Sequence, residues 1–274
     1  MRETVHSGGW RLLLYSAIPH SLPQCCSLRT ISWLRIVAAG IESESPFLQW
    51  PHILHMKQGR HIKQTTTITP ALLQVQGLCF RYPGRELFAD WSTAILPGLT
   101  LLRGGDGCGK TTLLRLLAGT LPADAGQLRV HDVCLQEQPA AYRQQVFWAE
   151  PRSADFDHLT PVGYLESLRG RYPGFDDQVL ADLVDGLALA PHMNKQLHML
   201  SAGSKRKVWL AAAFASGAAV TLLDEPFAAL DKASIGLVMA LLEEAADHPG
   251  RAWVIADYEA PAGLRLAGVI DLGD

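Results

Sequence analysis

The segment Gly104-Gly105-Asp106-Gly107-Cys108-Gly109-Lys110-Thr111 matches the pattern G-x-x-x-x-G-K-[ST], in which a glycine-rich loop binds phosphate groups. Apolar residues 99–103 precede it and suit a buried strand, whereas residues 112–119 follow it and suit a helix. Backbone N–H groups converge on phosphate in such a loop, Lys110 would add a positive charge at the β- and γ-phosphates, and the Thr111 hydroxyl could ligate Mg²⁺. The pattern predicts that residues from Gly104 to Thr112 bind a nucleoside triphosphate; the alternative is a glycine-rich turn without a ligand.

A second segment, Leu200-Ser201-Ala202-Gly203-Ser204, precedes a basic and then alanine-rich stretch that predicts a helix. Ser201 would cap this helix, and the free N–H groups and positive dipole at a helix N-terminus favour an anion. Here the chain resembles the ATP-binding cassette (ABC) family, in which the motif reads L-S-G-G-Q. The resemblance implies that Ser201, Ala202, Gly203 and Ser204 face the γ-phosphate held by a partner subunit. Taken alone, the segment also fits a serine-capped helix with no ligand.

The third segment is the apolar run 219–223, which ends in Asp224 and Glu225. It resembles the family's Walker B strand, which implies that Asp224 holds Mg²⁺ through water and that Glu225 polarises the attacking water as a general base. The alternative is two surface acids that follow a strand. Residues 227–231 (FAALD) resemble the family's D-loop, which would put Asp231 at the contact between two cassettes.

Upstream, residues 72–82 (LLQVQGLCFRY) resemble the family's first strand, which ends in an aromatic residue that stacks on adenine. That residue would be Tyr82, although a tyrosine at such a position is elsewhere often a half-buried edge residue. The resemblance extends from about residue 72 to residue 274, and the ordered set of motifs is far more specific than any single one.

Two positions depart from the family pattern. Glu150 stands where the family has a Mg²⁺-coordinating Gln; Glu can also ligate Mg²⁺, but it adds negative charge beside the polyphosphate. A shift in alignment would instead select Gln144 or Gln145, which precede the strand. Asp257 stands at the family's switch histidine, and an ionised Asp can only accept a hydrogen bond, so stabilisation of the transition state should be weaker. With Ala202 and Ser204 also altered, we expect nucleotide binding and slow hydrolysis.

The alternation of strands and helices predicts an α/β fold with a parallel sheet. The resemblance implies a P-loop NTPase fold of ABC type, with a parallel core sheet, an antiparallel β-subdomain and a helical subdomain. The antiparallel region is expected to reach about residue 103. Further strands are expected at 128–133, 146–149, 220–223, 253–255 and 268–272, and helices at 162–169, 178–189 and 232–248.

The chain of 274 residues has room for one domain of about 200 residues and an appendage. Hydrophobic residues make up 48% and charged residues 19%, which excludes a disordered protein, and the net charge of −3 gives no sign of a nucleic-acid partner. Five cysteines without C-x-x-C spacing predict no zinc site and a reducing cytosol. The apolar stretch 211–223 is too short to span a membrane.

We divide the chain into an N-terminal extension, residues 1–70, and an ABC-type ATP-binding domain, residues 71–274. The extension shows no hydrophobic periodicity and few acids, a composition mildly similar to an organellar transit peptide. The alternative is that translation begins at Met56 and that the preceding segment is not native.

The leading hypothesis is the ATPase subunit of an ABC transporter, which uses ATP and Mg²⁺ on the cytoplasmic face of the inner membrane. It would work with a second ABC ATPase subunit, in a homo- or heterodimer, and with an integral-membrane permease that determines the cargo. The short chain and the L-S-A-G form of the second segment are similar to bacterial haem-exporter and multidrug-exporter ATPases. Two alternatives remain: a weakly hydrolysing partner in a heterodimeric ABC complex, and a soluble ABC protein of DNA repair or the ribosome.

Overall fold

The computed structural model describes residues 70–150 and 153–273. The predicted extension, residues 1–70, and the alternative start at Met56 therefore lie almost entirely outside the described residues. The strands are β1 (Leu73–Tyr82), β2 (Arg85–Ile95), β3 (Gly98–Arg103), β4 (Ala125–Val130), β5 (Val133–Cys134), β6 (Val146–Trp148), β7 (Val220–Asp224), β8 (Ala252–Ala256) and β9 (Gly268–Asp271). The α-helices are α1 (Lys110–Leu117), α2 (Pro139–Gln145), α3 (Pro161–Arg169), α4 (Asp177–Gly186), α5 (Ala202–Ala215) and α6 (Lys232–Ala246).

Five strands form a parallel sheet in the order β6-β7-β8-β3-β9. All five residues of β8 are buried, as are four of the five in β7, because helices cover both faces of a parallel sheet. The register pairs Ala256 with Asp224 on one side and with Leu102 on the other. The carboxyl ends of β3, β7 and β8 therefore lie together at one edge of the sheet, where ligands bind in folds of this kind.

The second sheet is antiparallel, in the order β2-β1-β4-β5, and it packs through Leu73, Leu78 and Val130 onto the core that contains α1 and the parallel sheet. A separate part of the core lies around α3, α4 and α5, where the rings of Tyr164 and Trp209 meet edge to face at 4.8 Å between centroids. The α/β class with parallel, antiparallel and helical parts is thus confirmed.

Two details of the strand prediction are wrong. The antiparallel run that begins at Leu73 ends at Ile95 and not near residue 103, since Gly98, at φ 100°, redirects the chain and β3 joins the parallel sheet. A Cβ at Gly98 would lie 3.0 Å from the Ala246 carbonyl oxygen, so the turn needs glycine. Residues 128–133 are not one strand, because His131 adopts a left-handed backbone and turns the chain from β4 into β5.

The other predicted elements are confirmed to within a few residues. The helix expected at 178–189 is α4, which begins after the Asp176 cap and ends at Gly186, three residues earlier than the hydrophobic pattern suggests. Within the described part of the chain, no helix is long and apolar enough to cross a membrane.

Candidate nucleotide-binding site

The predicted phosphate loop, Gly104–Thr111, joins the end of β3 to the start of α1, which begins at Lys110. Gly104, Gly107 and Gly109 all have positive φ values, of 155°, 73° and 111°. A Cβ on Gly104 would lie 2.6 Å from the Cys108 sulfur, so this first glycine cannot be replaced without moving the loop. The loop conformation therefore depends on the glycines of the sequence pattern.

Lys110 is the first residue of α1, and 7% of its surface is exposed. Its Nζ donates hydrogen bonds to the carbonyl oxygens of Gly104, at 2.6 Å, and Gly105, at 2.8 Å. A phosphate oxygen is a stronger partner for an ammonium group than a neutral carbonyl, because both groups are then charged. The buried charge of Lys110 is thus placed to bind phosphate.

The Thr111 hydroxyl, on the first turn of α1, donates to the carboxylate of Asp224 at the end of β7, at 2.7 Å. The two residues are 113 positions apart in the chain, and the fold brings together the two oxygen groups predicted to bind Mg²⁺. Hard oxygen donors suit Mg²⁺, which needs few protein ligands because it keeps several waters and binds substrate phosphates. The residues therefore fit this ion.

Glu150, the third predicted Mg²⁺ ligand, forms an ion pair with Arg115 of α1, at 3.8 Å between Nε and a carboxylate oxygen. Both side chains are 35% exposed. This contact ties Glu150 to the helix that begins at the phosphate loop, and the positive charge of Arg115 offsets the negative charge that the sequence led us to expect beside the phosphates.

Glu225 has a left-handed backbone, with φ 46°, which is uncommon for residues other than glycine and concentrates at functional sites. Its N–H donates to the carbonyl oxygen of Ala256 at 2.9 Å. Arg206 of α5 donates to the carbonyl oxygens of both Asp224, at 2.9 Å, and Glu225. These bonds hold the main chain that carries the predicted general base.

A cleft of about 290 Å³ brings nine of the predicted site residues together. Its walls are the end of β1 at Tyr82, the start of β2 at Arg85 and Leu87, the phosphate loop with Thr112, and the carboxylates Asp224 and Glu225. The Tyr82 hydroxyl lies 3.4 Å from that of Thr112, and Tyr82 is 40% exposed, as a residue that stacks on a base requires. Arg85 and Leu87 were missed, since nothing in the sequence relates a β2 residue to the phosphate loop.

The chain also resembles known proteins in sequence and in fold. Residues 94–228 match the family model described as "ABC transporter". Over 207 residues the chain is 36% identical to the cytochrome c biogenesis ATP-binding export protein CcmA of Pseudomonas syringae pv. syringae, which covers 73% of this chain and 95% of that protein. The chain belongs to the ABC transporter family, as an ATP-binding subunit.

Two further ABC proteins show the extent of the likeness. The manganese transport system ATP-binding protein MntB of Listeria monocytogenes is 29% identical over 198 residues, covering 68% of this chain and 80% of MntB. A solved ATP-binding subunit of an ABC transporter superposes with a TM-score of 0.61 at 22% identity, over 68% of this chain and 79% of that one. The solved structure confirms the fold.

The segment 200–204, called the signature segment from here on, opens helix α5 of the ABC subunit. The Ser201 hydroxyl accepts a hydrogen bond from the N–H of Ser204 at 3.1 Å, so the predicted N-cap is confirmed. A Cβ on Gly203 would lie 2.3 Å from the Ala229 carbonyl oxygen, and the second glycine of the motif is therefore needed for packing. None of the described residues that line the cleft comes from this segment.

Asp231, the predicted residue at the contact between cassettes, caps α6 by accepting from the N–H of Ser234 at 2.9 Å. It also accepts from Lys207 of α5 at 2.6 Å. The bond from Lys207, together with those from Ser234, holds the pKa of the Asp231 carboxyl well below its usual range. Within one subunit, Asp231 thus ties α5 to α6; its role between subunits stays a prediction.

Asp257 follows β8, its N–H donates to the carbonyl oxygen of Leu102 at 3.1 Å, and its carboxylate accepts from the N–H of Tyr258 at 2.8 Å. The next side chain, Tyr258, reaches the phosphate loop: its hydroxyl donates to the carboxylate of Asp106, and Nζ of Lys110 lies 4.6 Å from its ring centroid. We expected only a hydrogen-bond acceptor in this region, whereas the structure places a donor there. In the sequence, the aromatic residue that follows Asp257 could have indicated this donor.

Proposed function

We propose that this chain binds Mg-ATP in the cleft, hydrolyses it, and so energises transport through a separate membrane permease. The contact of Thr111 with Asp224 carries the proposal, because it puts the oxygen donors that Mg²⁺ prefers beside the loop that binds phosphate. Bound Mg²⁺ would neutralise charge on the β- and γ-phosphates. Thr111 and Asp224 would hold it, with Glu150 as a further candidate.

Hydrolysis needs a base for the attacking water and positive charge at the phosphates. Glu225 would accept the proton of the water, Lys110 would stabilise the charge that develops on the terminal phosphate, and the N–H groups of the phosphate loop would orient it. Arg206 would support Glu225 through the carbonyl oxygens that it binds. Tyr82 would stack on the base of the nucleotide.

A second cassette subunit would complete each site. The signature segment lies at the start of a 14-residue helix, where N–H groups and the helix dipole favour an anion, yet it does not line the cleft of its own subunit. Ser201, Ala202, Gly203 and Ser204 would therefore face the nucleotide of the partner, with Asp231 near the contact. We place the assembled dimer on the cytoplasmic face of the inner membrane, bound to the permease, and we propose no nucleic-acid partner.

The Mg²⁺ site can be tested with the substitution Thr111→Val, which removes the hydroxyl and keeps the shape of the side chain. In calorimetric titrations of the full chain, we expect the parent to bind ATP more tightly with Mg²⁺ than with EDTA, and Thr111→Val to lose most of this difference. Thr120→Val is the matched control, because Thr120 caps the other end of α1 through the Arg115 carbonyl oxygen. An equal dependence on Mg²⁺ in Thr111→Val and the parent would refute the assignment.

A weakly hydrolysing subunit of a heterodimer is the second candidate, and Asp257 favours it. This carboxylate is an acceptor, not the imidazole donor of the family pattern. Phosphate release by the purified chain separates the two candidates: the leading proposal expects turnover by the chain alone, whereas the second expects turnover only with a different cassette. Recovery of a permease from membrane fractions with the tagged chain tests the link to transport, and a soluble ABC protein would recover none.

The cargo is a separate matter. The two relatives are named for export in cytochrome c biogenesis and for manganese transport, although both are ATP-binding proteins of similar likeness to this chain. Since the cargo differs among such similar subunits, we attribute its choice to the permease and propose none here.

A further inference from the structure

Tyr258 is the side chain of the segment after β8 that reaches the phosphate loop. Its hydroxyl donates to Asp106, a residue of the loop itself, and its ring lies beside the charge of Lys110. Tyr258 is also 51% exposed, so its contacts with the loop are not forced by burial. A half-exposed aromatic residue held by both a carboxylate and an ammonium group is positioned by the site and not by the core.

We propose that Tyr258 binds the terminal phosphate of the triphosphate, and that its hydroxyl transfers its hydrogen bond from Asp106 to that phosphate when the nucleotide enters. This inference rests on the proposed function. A phenol has one O–H and can donate one hydrogen bond at a time. The bonds to Asp106 and to phosphate are therefore mutually exclusive, and Asp106 holds the donor in place until a second anionic acceptor arrives.

The neighbours of Tyr258 indicate that it binds the terminal phosphate and not an inner one. Lys110 in such loops binds the β- and γ-phosphates, and the Tyr258 ring covers its Nζ. Glu225, the proposed base for the water that attacks the γ-phosphate, is close enough for its charge to act on the phenol. Tyr258 is thus near both the lysine that binds the terminal phosphate and the proposed base for the attacking water.

The phenol keeps its proton under physiological conditions. The hydrogen bond to Asp106 raises the pKa of Tyr258 above its usual value, and the charges of Asp106, Glu225 and Asp257 raise it further. Tyr258 is therefore a donor, whereas the neighbouring Asp257 carboxylate accepts a hydrogen bond from the Tyr258 main chain. The donor that the sequence lacks at residue 257 is supplied one residue later.

The test is Tyr258→Phe, which keeps the ring over Lys110 and removes the hydroxyl. Affinities of the full chain for ADP and for the non-hydrolysable triphosphate AMP-PNP, both with Mg²⁺, are measured by titration calorimetry. We expect Tyr258→Phe to weaken AMP-PNP binding roughly tenfold, as for the loss of one hydrogen bond to a charged group, and to leave ADP binding unchanged. Thermal unfolding shows whether the variant is folded.

The second variant is Asp106→Ala, which removes the competing acceptor and keeps the donor. The ratio of AMP-PNP to ADP affinity should rise in Asp106→Ala, fall in Tyr258→Phe, and stay low in the double variant. A general effect on folding or on loop charge would change both nucleotides together and leave this ratio constant.

Three results would overturn the inference. Tighter binding of both nucleotides by Tyr258→Phe would mean that the Tyr258–Asp106 bond merely blocks the loop. An unchanged ratio would mean that the hydroxyl does not distinguish the terminal phosphate. If the parent bound neither nucleotide, the proposed function would fail as well, which is distinguishable because the parent's own titrations report it.

Discussion

Lys110 keeps its charge almost fully buried against carbonyl oxygens of the phosphate loop. Lys110→Ala removes this charge and leaves the buried strand β3 and the apolar face of α1, so we expect the fold to persist and Mg-ATP affinity to fall by at least about a hundredfold. Calorimetry on the purified variant measures the loss, and Lys195→Ala, at an exposed position outside the cleft, is the control. Binding as tight as in the parent would show that the loop is not the phosphate site.

Glu225 combines a left-handed backbone with a place in the cleft. Glu225→Gln keeps the size of the side chain but removes the base, so ATP binding should persist while phosphate release falls about 10²- to 10⁴-fold. The ATP-bound dimer should then accumulate, as seen by size-exclusion chromatography. Glu243→Gln, an exposed residue on α6, is the control. If Glu225→Gln still hydrolyses ATP at the parent's rate, the base is another residue.

At the residue scale, the sequence alone predicts some residues of the site and not others. The phosphate loop, Asp224 and Glu225 could be predicted, because each belongs to a short motif whose functional residues are close together in the sequence. The bond from Tyr258 to Asp106 joins residues 152 positions apart, and no local pattern encodes it. Such a contact requires the register of β3 against β8, which sets both segments at one edge of the sheet.

At the scale of elements, hydrophobic patterns predicted the strands and helices whose apolar residues are buried. The predictions failed where the backbone angle of a single residue determines where a strand ends. A β pattern continues through His131, but its left-handed φ of 49° makes a two-residue turn, and Gly98 separates the antiparallel sheet from β3 although residues 72–103 form one β-rich run. Hydrophobic periodicity reports burial and carries no information on which sheet a strand joins.

Helices α5 and α6 are joined by Asp231, which binds Lys207 and caps α6. Asp231→Asn keeps the cap but loses the ion pair, so the variant should unfold at a lower temperature than the parent at pH 7. Because the pKa of Asp231 is lowered on folding, its contribution is complete above the unfolded value of about 4 and declines as the pH falls from there toward the lower folded value. The difference in unfolding temperature should therefore shrink from pH 7 to pH 3.5.

Calorimetry or circular dichroism of the two proteins at several pH values measures this difference. Asp185→Asn, an exposed carboxylate on α4, controls for the general effect of one fewer negative charge. A difference that stayed constant with pH would show that the charge of Asp231 does not stabilise the pair of helices.

At the scale of the whole molecule, the fold separates the two proposed halves of the nucleotide site. The cleft carries the phosphate loop and the carboxylates, while the signature segment opens α5 outside the cleft. Arg206 of the same helix binds the main chain of Asp224 and Glu225. A signature segment that touches the nucleotide of a partner is therefore connected, through one helix, to the hydrolytic residues of its own subunit.

This division predicts complementation between two inactive variants. Lys110→Ala disables the phosphate loop, and Ser201→Asp keeps a good N-cap but turns a negative charge toward the partner's phosphate. In a head-to-tail homodimer, a mixed pair joins the intact loop of one chain to the intact signature segment of the other. Since half of the dimers in an equal mixture are mixed and each has one complete site, phosphate release should recover to about a quarter of the parent's rate. Each variant alone should stay inactive, and a mixture as inactive as its components would exclude the head-to-tail homodimer and favour a heterodimer with a different cassette.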